Sequence, residues 1–230
     1  MDLNKLVTTL EEDIVLGSIL PRQRLIEDDV MARFSAKRHV VRQAFSELER
    51  IGLVERRRNI GAVVRSYTAE EVTNLFAVRE LLEGFFAETL PLPVSGDRIS
   101  DLETIQTVHD AAITDGDLRG IFRSNMVFHR ALFGLSDNPV LVAAIHDHAQ
   151  RAHAIRSSNL RSRDHMERAR LEHWAIIDAL KKEDRKRMVE LCKKHIQPSR
   201  DAYIDAISDR IGSNDRGKQT GEAKASHRAS

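Results

Sequence analysis

Cysteine is almost absent. Cys192 stands alone in 230 residues, so no intrachain disulfide can form and no multi-cysteine zinc or iron–sulfur site can be built; a cytosolic setting is the expectation. Glycine (11) and proline (5) are sparse, and the turn signal that an all-β sandwich or barrel needs roughly every 8–12 residues is missing over most of the chain. Long apolar runs are missing too. No stretch approaches the ~18 uninterrupted apolar residues of a membrane span. The first residues carry acids at Asp2, Glu11, Glu12 and Asp13, the opposite of a signal peptide's basic and apolar regions, and no membrane association is expected. Aromatics make up only 5%. Against these scarcities stand 41% hydrophobic and 31% charged residues, a balance that excludes disorder throughout and favours a helical globular protein. The length suggests two domains, one of them small.

Charge of one sign is also lacking overall, with 36 Lys and Arg against 35 Asp and Glu. Locally the balance breaks. Between Arg33 and Arg65 lie nine basic residues and three acidic ones, Glu47, Glu49 and Glu55. A charge run is ordinarily a solvated face, but this one coincides with a recognisable order of elements. Leu3, Leu6, Val7, Leu10, Ile14 and Val15 repeat at helical spacing and Gly17 follows. A turn at Pro21 precedes a second helix from Glu27 carrying Val30, Met31 and Phe34. After Ser35-Ala36-Lys37, a third helix places Val41, Ala44, Phe45, Leu48 and Ile51 on one side until Gly52 closes it. Two strand-like runs, 53–55 and 62–64, flank the basic segment Arg56-Arg57-Arg58-Asn59-Ile60-Gly61. Three helices and a hairpin in this order make a winged helix-turn-helix over residues 1–66. Its third helix puts Lys37, Arg38, His39, Arg42 and Gln43 at the exposed N-terminal end, the end that a recognition helix presents to base edges.

The run L-G-S-I-L-P-R-Q-R-L-I-E-D-D-V-M-A-R-F-S-A-K-R-H-V-V-R-Q-A-F-S-E-L-E-R-I-G-L-V, continued by the glycine-containing wing to Arg65, resembles the DNA-binding domain of the GntR family of bacterial transcription regulators. The resemblance implies that Arg38 and Arg42 are the two arginines of the reading helix and that Gly61 is the glycine at the wing tip. An arginine can donate two hydrogen bonds to guanine O6 and N7, the role expected of Arg38 or Arg42. Lys37 and Arg56, Arg57 and Arg58 suit phosphates or the minor groove. The sequence departs from the family pattern at Arg22, Lys37 and Val40, and places Asp28 where relatives that read DNA tightly often carry a basic side chain.

Residues 67–70 form the linker, where Thr68 and Glu71 make a capping-box pattern. A long helix then runs to Pro91, and helical periods follow over 97–114, 117–135, 138–157, 163–182 and 184–208. Residues 70–210 are therefore expected to form an all-helical antiparallel bundle, the only part large enough to supply a dimer surface, and the resemblance of the head implies a ligand-binding role for it. Residues 211–230, without a large apolar residue after Ile211, are expected to be a disordered tail.

Asn125 and His129 are four apart and share a helix face, while His173 and His195 fall on two later helices. Spacing alone leaves a satisfied polar core and a metal site both open. The segments V-R-E-L-L-E (78–83), N-M-V-F-H-R-A-L (125–132), D-N-P (137–139), E-H-W-A-I-I-D-A-L-K-K-E-D (172–184) and H-I (195–196) are similar in order and spacing to the FadR-type C-terminal domain, FCD. In metal-binding members an Asp and three His hold the ion. The resemblance implies that Asn125, His129, His173 and His195 hold a divalent transition metal, Zn, Ni, Mn or Fe, with an amide replacing the carboxylate. It also implies a small organic-acid effector, for which Arg79 is a candidate, although an i,i+4 ion pair with Glu83 competes for it. His146, His148 and His153 read first as a surface cluster, although His146 and His153 are seven apart on a helix and an inward turn of these two is the alternative. The leading expectation is a ligand-responsive regulator that binds a palindromic double-stranded DNA operator as a homodimer and is not an enzyme. A helical metal-dependent phosphohydrolase, using His109-Asp110 and His146-Asp147, and an effector-independent DNA binder are the alternatives.

Overall fold

A computed structural model describes residues 1–57, 60–156 and 162–209. Arg58 and the expected tail at 211–230 lie outside the described residues. Helix α1 (Leu3–Val15) opens on the side chain of Asp2, which accepts from the Lys5 backbone N–H at 2.9 Å. Helix α2 (Glu27–Phe34) carries Glu27, Asp28 and Asp29 in its first turn, where the helix dipole favours acids, and ends at Ser35 in the left-handed region. Helix α3 (Arg38–Arg50) buries Val41, Ala44, Phe45 and Leu48 and leaves its basic residues outside. Gly52 follows at φ +78°, and a Cβ there would collide with the Tyr67 hydroxyl, so the turn into the wing needs glycine. Strands β2 (Val54–Arg57) and β3 (Gly61–Val64) form the hairpin, with Val54 opposite Val64 and Arg57 opposite Gly61. A two-residue strand β1 (Arg24–Leu25), which the sequence pattern did not indicate, pairs on the other side of β3.

The capping box at Thr68 and Glu71 is formed and starts α4 (Ala69–Thr89). Then come α5 (Gly96–Asp115), α6 (Leu118–Phe133), α7 (Pro139–Arg151), the single turn α8 (His153–Arg156), α9 (Arg163–Lys181) and α10 (Arg185–His195). Residues 197–209 are helical again. The expected helix over 138–157 is thus broken at Ala152, and that over 184–208 at Ile196. Side-chain periodicity runs on across both breaks, because each new helix continues to bury the same kind of residue.

Two apolar cores result. One lies inside the bundle, around Phe86, Leu102, Phe128, Leu132, Ile145, Ile176 and Leu180. The other fills the winged head around Leu6, Leu10, Phe45 and Leu48 and extends without interruption into Tyr67, Phe76, Ile155, Ile196 and Tyr203. Hydrogen bonds seal this junction. The Tyr67 backbone N–H donates to the Tyr203 hydroxyl at 3.0 Å, and the Tyr67 hydroxyl donates to the Gly52 carbonyl at 2.7 Å. Helix α4 buries Phe76, Phe86 and Ala87, yet Val78, Leu81 and Phe85 stay exposed at 40, 72 and 49% on one stripe. Among the described residues no helix is long and apolar enough to cross a membrane.

Candidate nucleic-acid interface and histidine cavity

The amphipathic pattern of α3 fixes its orientation: burying Val41, Phe45 and Leu48 turns Lys37, Arg38, His39, Arg42 and Gln43 outward, and all five are exposed. Arg56 and Arg57 are exposed on β2 beside them. The wing is tied to the reading helix from below. The Arg56 backbone N–H donates to Glu49 at 2.9 Å, and its Nη1 donates to the Ser46 hydroxyl at 2.8 Å. Between helix and wing lies a groove of about 520 Å³ bordered by Arg24, Arg42, Arg56 and Arg57. Arg24 was not among the sequence candidates. Gly61 is placed by packing: it starts β3 at φ +96°, and a Cβ would collide with the Leu25 carbonyl oxygen. Its missing side chain therefore admits β1 to the sheet, a reason the hairpin motif alone could not supply.

Two acids reach into this basic face. Glu27 and Asp28 lie just outside the basic window of the sequence, yet α2 packs on α3 and brings them to its arginines. Arg38 Nη2 donates to Asp28 Oδ1 at 2.7 Å and Nη1 to Glu27 Oε2 at 3.4 Å. Arg42 Nε donates to both Glu27 oxygens, at 3.1 and 3.0 Å.

In the bundle, α6, α9 and α10 bring His129, His173 and His195 together, with one ring nitrogen of each lying within 4.8 Å of the others. The Nε2 atoms of His129 and His195 are 3.2 Å apart. Phe128 stacks on His173 with ring centroids 4.0 Å apart, which restrains that imidazole. The outward nitrogens are held from behind. His173 Nδ1 faces the Gln106 amide oxygen at 2.8 Å, and Gln106 in turn donates to Asp110 at 2.7 Å; both His173 and Gln106 are fully buried. Asp110 also accepts from the Trp174 indole at 2.9 Å. His195 Nδ1 faces Glu172 at 2.7 Å. Burial pushes the Glu172 carboxyl up, but its bonds to His195 and Arg168 outweigh this and hold it below the usual carboxylate range. A hydrogen bond from Nδ1 leaves Nε2 as a lone-pair donor turned toward the cluster, the arrangement that metal-ligating histidines use.

Cavities open on both sides of the cluster. One of about 70 Å³ is bordered by Asn125, His195, Glu172 and His109. His109 is pushed down to about 4 by burial, so it is neutral near pH 7, and its Nδ1 meets the Ser124 hydroxyl at 2.8 Å. The other, of about 90 Å³, is bordered by Arg79, His129, Arg130, His146, Gln150 and His153. Two of the three extra histidines are therefore not part of a surface cluster. His146 and His153 face this cavity, His153 is buried, and its Nδ1 meets Glu11 of α1 at 2.6 Å, while His148 bonds the Ala144 carbonyl. The seven-residue step from His146 to His153 survives the break at Ala152 and keeps both on the inner side. Arg79 and Glu83 are each 2% exposed and form the anticipated ion pair, with Nε and Nη2 both donating to Glu83 Oε1. Arg79 Nη1 and His146 Nε2, both buried, have no hydrogen-bond partner among the described residues.

Residues 4–64 match the family model for bacterial regulatory proteins of the gntR family, and residues 74–198 match the model for the FCD domain. The chain belongs to the GntR family, in its FCD branch. Over 190 residues this GntR/FCD protein is 26% identical to the HTH-type transcriptional repressor RspR of Escherichia coli (strain K12), covering 82% of each chain. It is equally 26% identical over 188 residues to the HTH-type regulator YdhC of Bacillus subtilis (strain 168), covering 81% of this chain and 82% of that one. Its fold is similar to that of a GntR-type protein from Rhodococcus sp. RHA1, with TM-score 0.73, 24% identity and coverage of 89 and 98% of the two chains. It is also similar to that of McbR/YncC from E. coli, with TM-score 0.70, 17% identity and coverage of 91 and 98%. The relatives are transcription regulators and not enzymes, and this GntR/FCD chain is a DNA-binding regulator of the same type. The phosphohydrolase reading falls with that finding; Asp110, one of its two candidate acids, is committed to Gln106 and Trp174.

Proposed function

We propose that this regulator reads a twofold operator as a homodimer and answers a small organic acid held in the histidine cavity on a divalent transition metal. The observation that carries the reading is the convergence of His129, His173 and His195 from three helices, two of them with the outward nitrogen already bonded. Three neutral imidazoles and the amide oxygen of Asn125, which borders the same cavity as His195, form a donor set suited to Zn, Ni, Mn or Fe. The metal, when bound, supplies open positions to a carboxylate. Arg79, at the second cavity beside His129, supplies a cationic group with an unused donor to the rest of an anionic ligand.

Titration calorimetry with Zn²⁺ alone tests the metal. His173→Ala lowers Zn²⁺ affinity by about 100-fold or more, since the loss of one ligand from a rigid cluster disables it, whereas Asn125→Asp raises it by adding a charged oxygen. No Zn²⁺ binding by the parent chain and none gained by Asn125→Asp would overturn the metal and leave an anion pocket lined by histidines.

The exposed stripe Val78, Leu81 and Phe85 on α4 supports the dimer, because three large apolar side chains adjacent on one helix face mark an interaction surface. Leu81→Arg is expected to convert a dimer to a monomer in light scattering, with melting temperature changed little. An unaltered dimer mass would move the interface elsewhere.

A further inference from the structure

The basic face of the head is not free to meet DNA as drawn by its sequence, because both of its reading arginines are engaged by acids. Glu27 and Asp28 differ in kind. The Glu27 side chain is 22% exposed, lies under both arginines and serves Arg38 and Arg42 together. The Asp28 side chain is 71% exposed, stands at the outer edge and takes the Nη2 end of Arg38 at 2.7 Å. An ion pair so exposed adds little to folding. Its position on the face that meets DNA is therefore the feature to explain.

We infer that Asp28 is a specificity-determining residue of the DNA-reading face, acting by withholding Arg38 from phosphates. Binding without sequence preference draws on the release of counterions when lysines and arginines neutralise phosphates. Asp28 opposes that release in two ways: it neutralises Arg38, and it sets an exposed carboxylate against an approaching phosphate. The opposition applies to every sequence. The compensation does not. A guanine at the right step offers O6 and N7 to Arg38, and a neighbouring cytosine or adenine offers an amino group to the carboxylate that Arg38 leaves. Asp28 thus penalises all DNA and is recompensed only where the base edges replace the bond it loses, which is discrimination by a cost placed on wrong partners. Arg42 has no such exposed outer acid among the described residues; its bond is to the half-covered Glu27, so the two reading arginines play different parts.

The test uses two probes: a random-sequence duplex pool, and a duplex enriched from that pool by repeated selection on the parent protein. Asp28→Asn and Asp28→Ala, checked for unchanged melting, are expected to bind the random pool on the order of tenfold more tightly, with a salt slope steeper by about one. Affinity for the enriched duplex changes by no more than about threefold, so the ratio between the two falls, and reselection with Asp28→Asn relaxes the preference at one base pair per half-site. Asp28→Glu keeps the parent ratio. Equal gains on both probes would reduce Asp28 to a plain surface charge, and no change on either, or loss on both, would equally overturn the inference.

Discussion

Arg42→Ala removes specific operator binding and leaves the fold intact. The side chain is 58% exposed, and its side-chain hydrogen bonds among the described residues go to Glu27, so no core is disturbed by its loss. Surface changes of this kind alter stability by about 0.5 kcal/mol or less. The effect on recognition is far larger. A bidentate arginine–guanine contact discriminates by about 1–3 kcal/mol. A twofold operator engages it once per half-site, so the expected loss is about 2–6 kcal/mol, or roughly thirtyfold to more than ten-thousandfold. Fluorescence anisotropy with the enriched duplex and its random counterpart measures this directly. An enriched-duplex affinity equal to the parent's would take Arg42 out of base reading and leave Arg38 as the remaining reading arginine of α3.

Arg79→Ala is expected to be the most destabilising single change among the site residues. Glu83 is buried at 2% exposure and receives both of its ion-pair hydrogen bonds from Arg79. Truncating the arginine leaves a carboxylate in a dry interior and opens a void against Phe76, whose ring the guanidinium overlies at 5.0 Å. Breaking such a pair costs about 3–5 kcal/mol, which for a chain of this size lowers the melting temperature by roughly 6–20 °C. The double variant Arg79→Met/Glu83→Leu recovers most of the loss, because apolar groups of similar volume need no partner. If Arg79→Ala melted with the parent, the pair would be reached by water.

The head was legible in the sequence because each of its helices carries its own punctuation: Asp2 caps α1, Ser35 and Gly52 end α2 and α3, and the apolar positions of α3 fix which arginines turn outward. The same local signals gave the capping box at Thr68 and the helices of the bundle. What sequence did not disclose is which faces meet. Gln106 and His173 are 67 positions apart, and Glu11 and His153 are 142 apart; no periodicity within one helix reports a contact of that kind. The pairing of the α2 acids with Arg38 and Arg42 is hidden from the sequence for a different reason. The basic stretch begins at Arg33 along the chain, whereas Glu27 and Asp28 enter the basic face through the packing of α2 on α3. The seven-residue step places His146 and His153 on one face, but sequence does not tell whether that face is inward, since a helix on a surface and a helix against a cavity differ only in what lies opposite.

One peptide bond separates two tasks. His195 belongs to the imidazole cluster, while Ile196, its neighbour, is buried in the apolar mass of the head. From there the chain runs to Tyr203, which grips Tyr67, and Tyr67 grips the carbonyl of Gly52 at the foot of the reading helix. Close-packed interiors transmit displacement and do not absorb it, so under the proposed function a tilt of α10 at His195 would turn α3 like a crank, through Tyr203, Tyr67 and Gly52. Thermodynamic linkage would make the crank turn both ways: whatever factor an occupied cluster would impose on operator affinity, a bound operator would impose on the cluster.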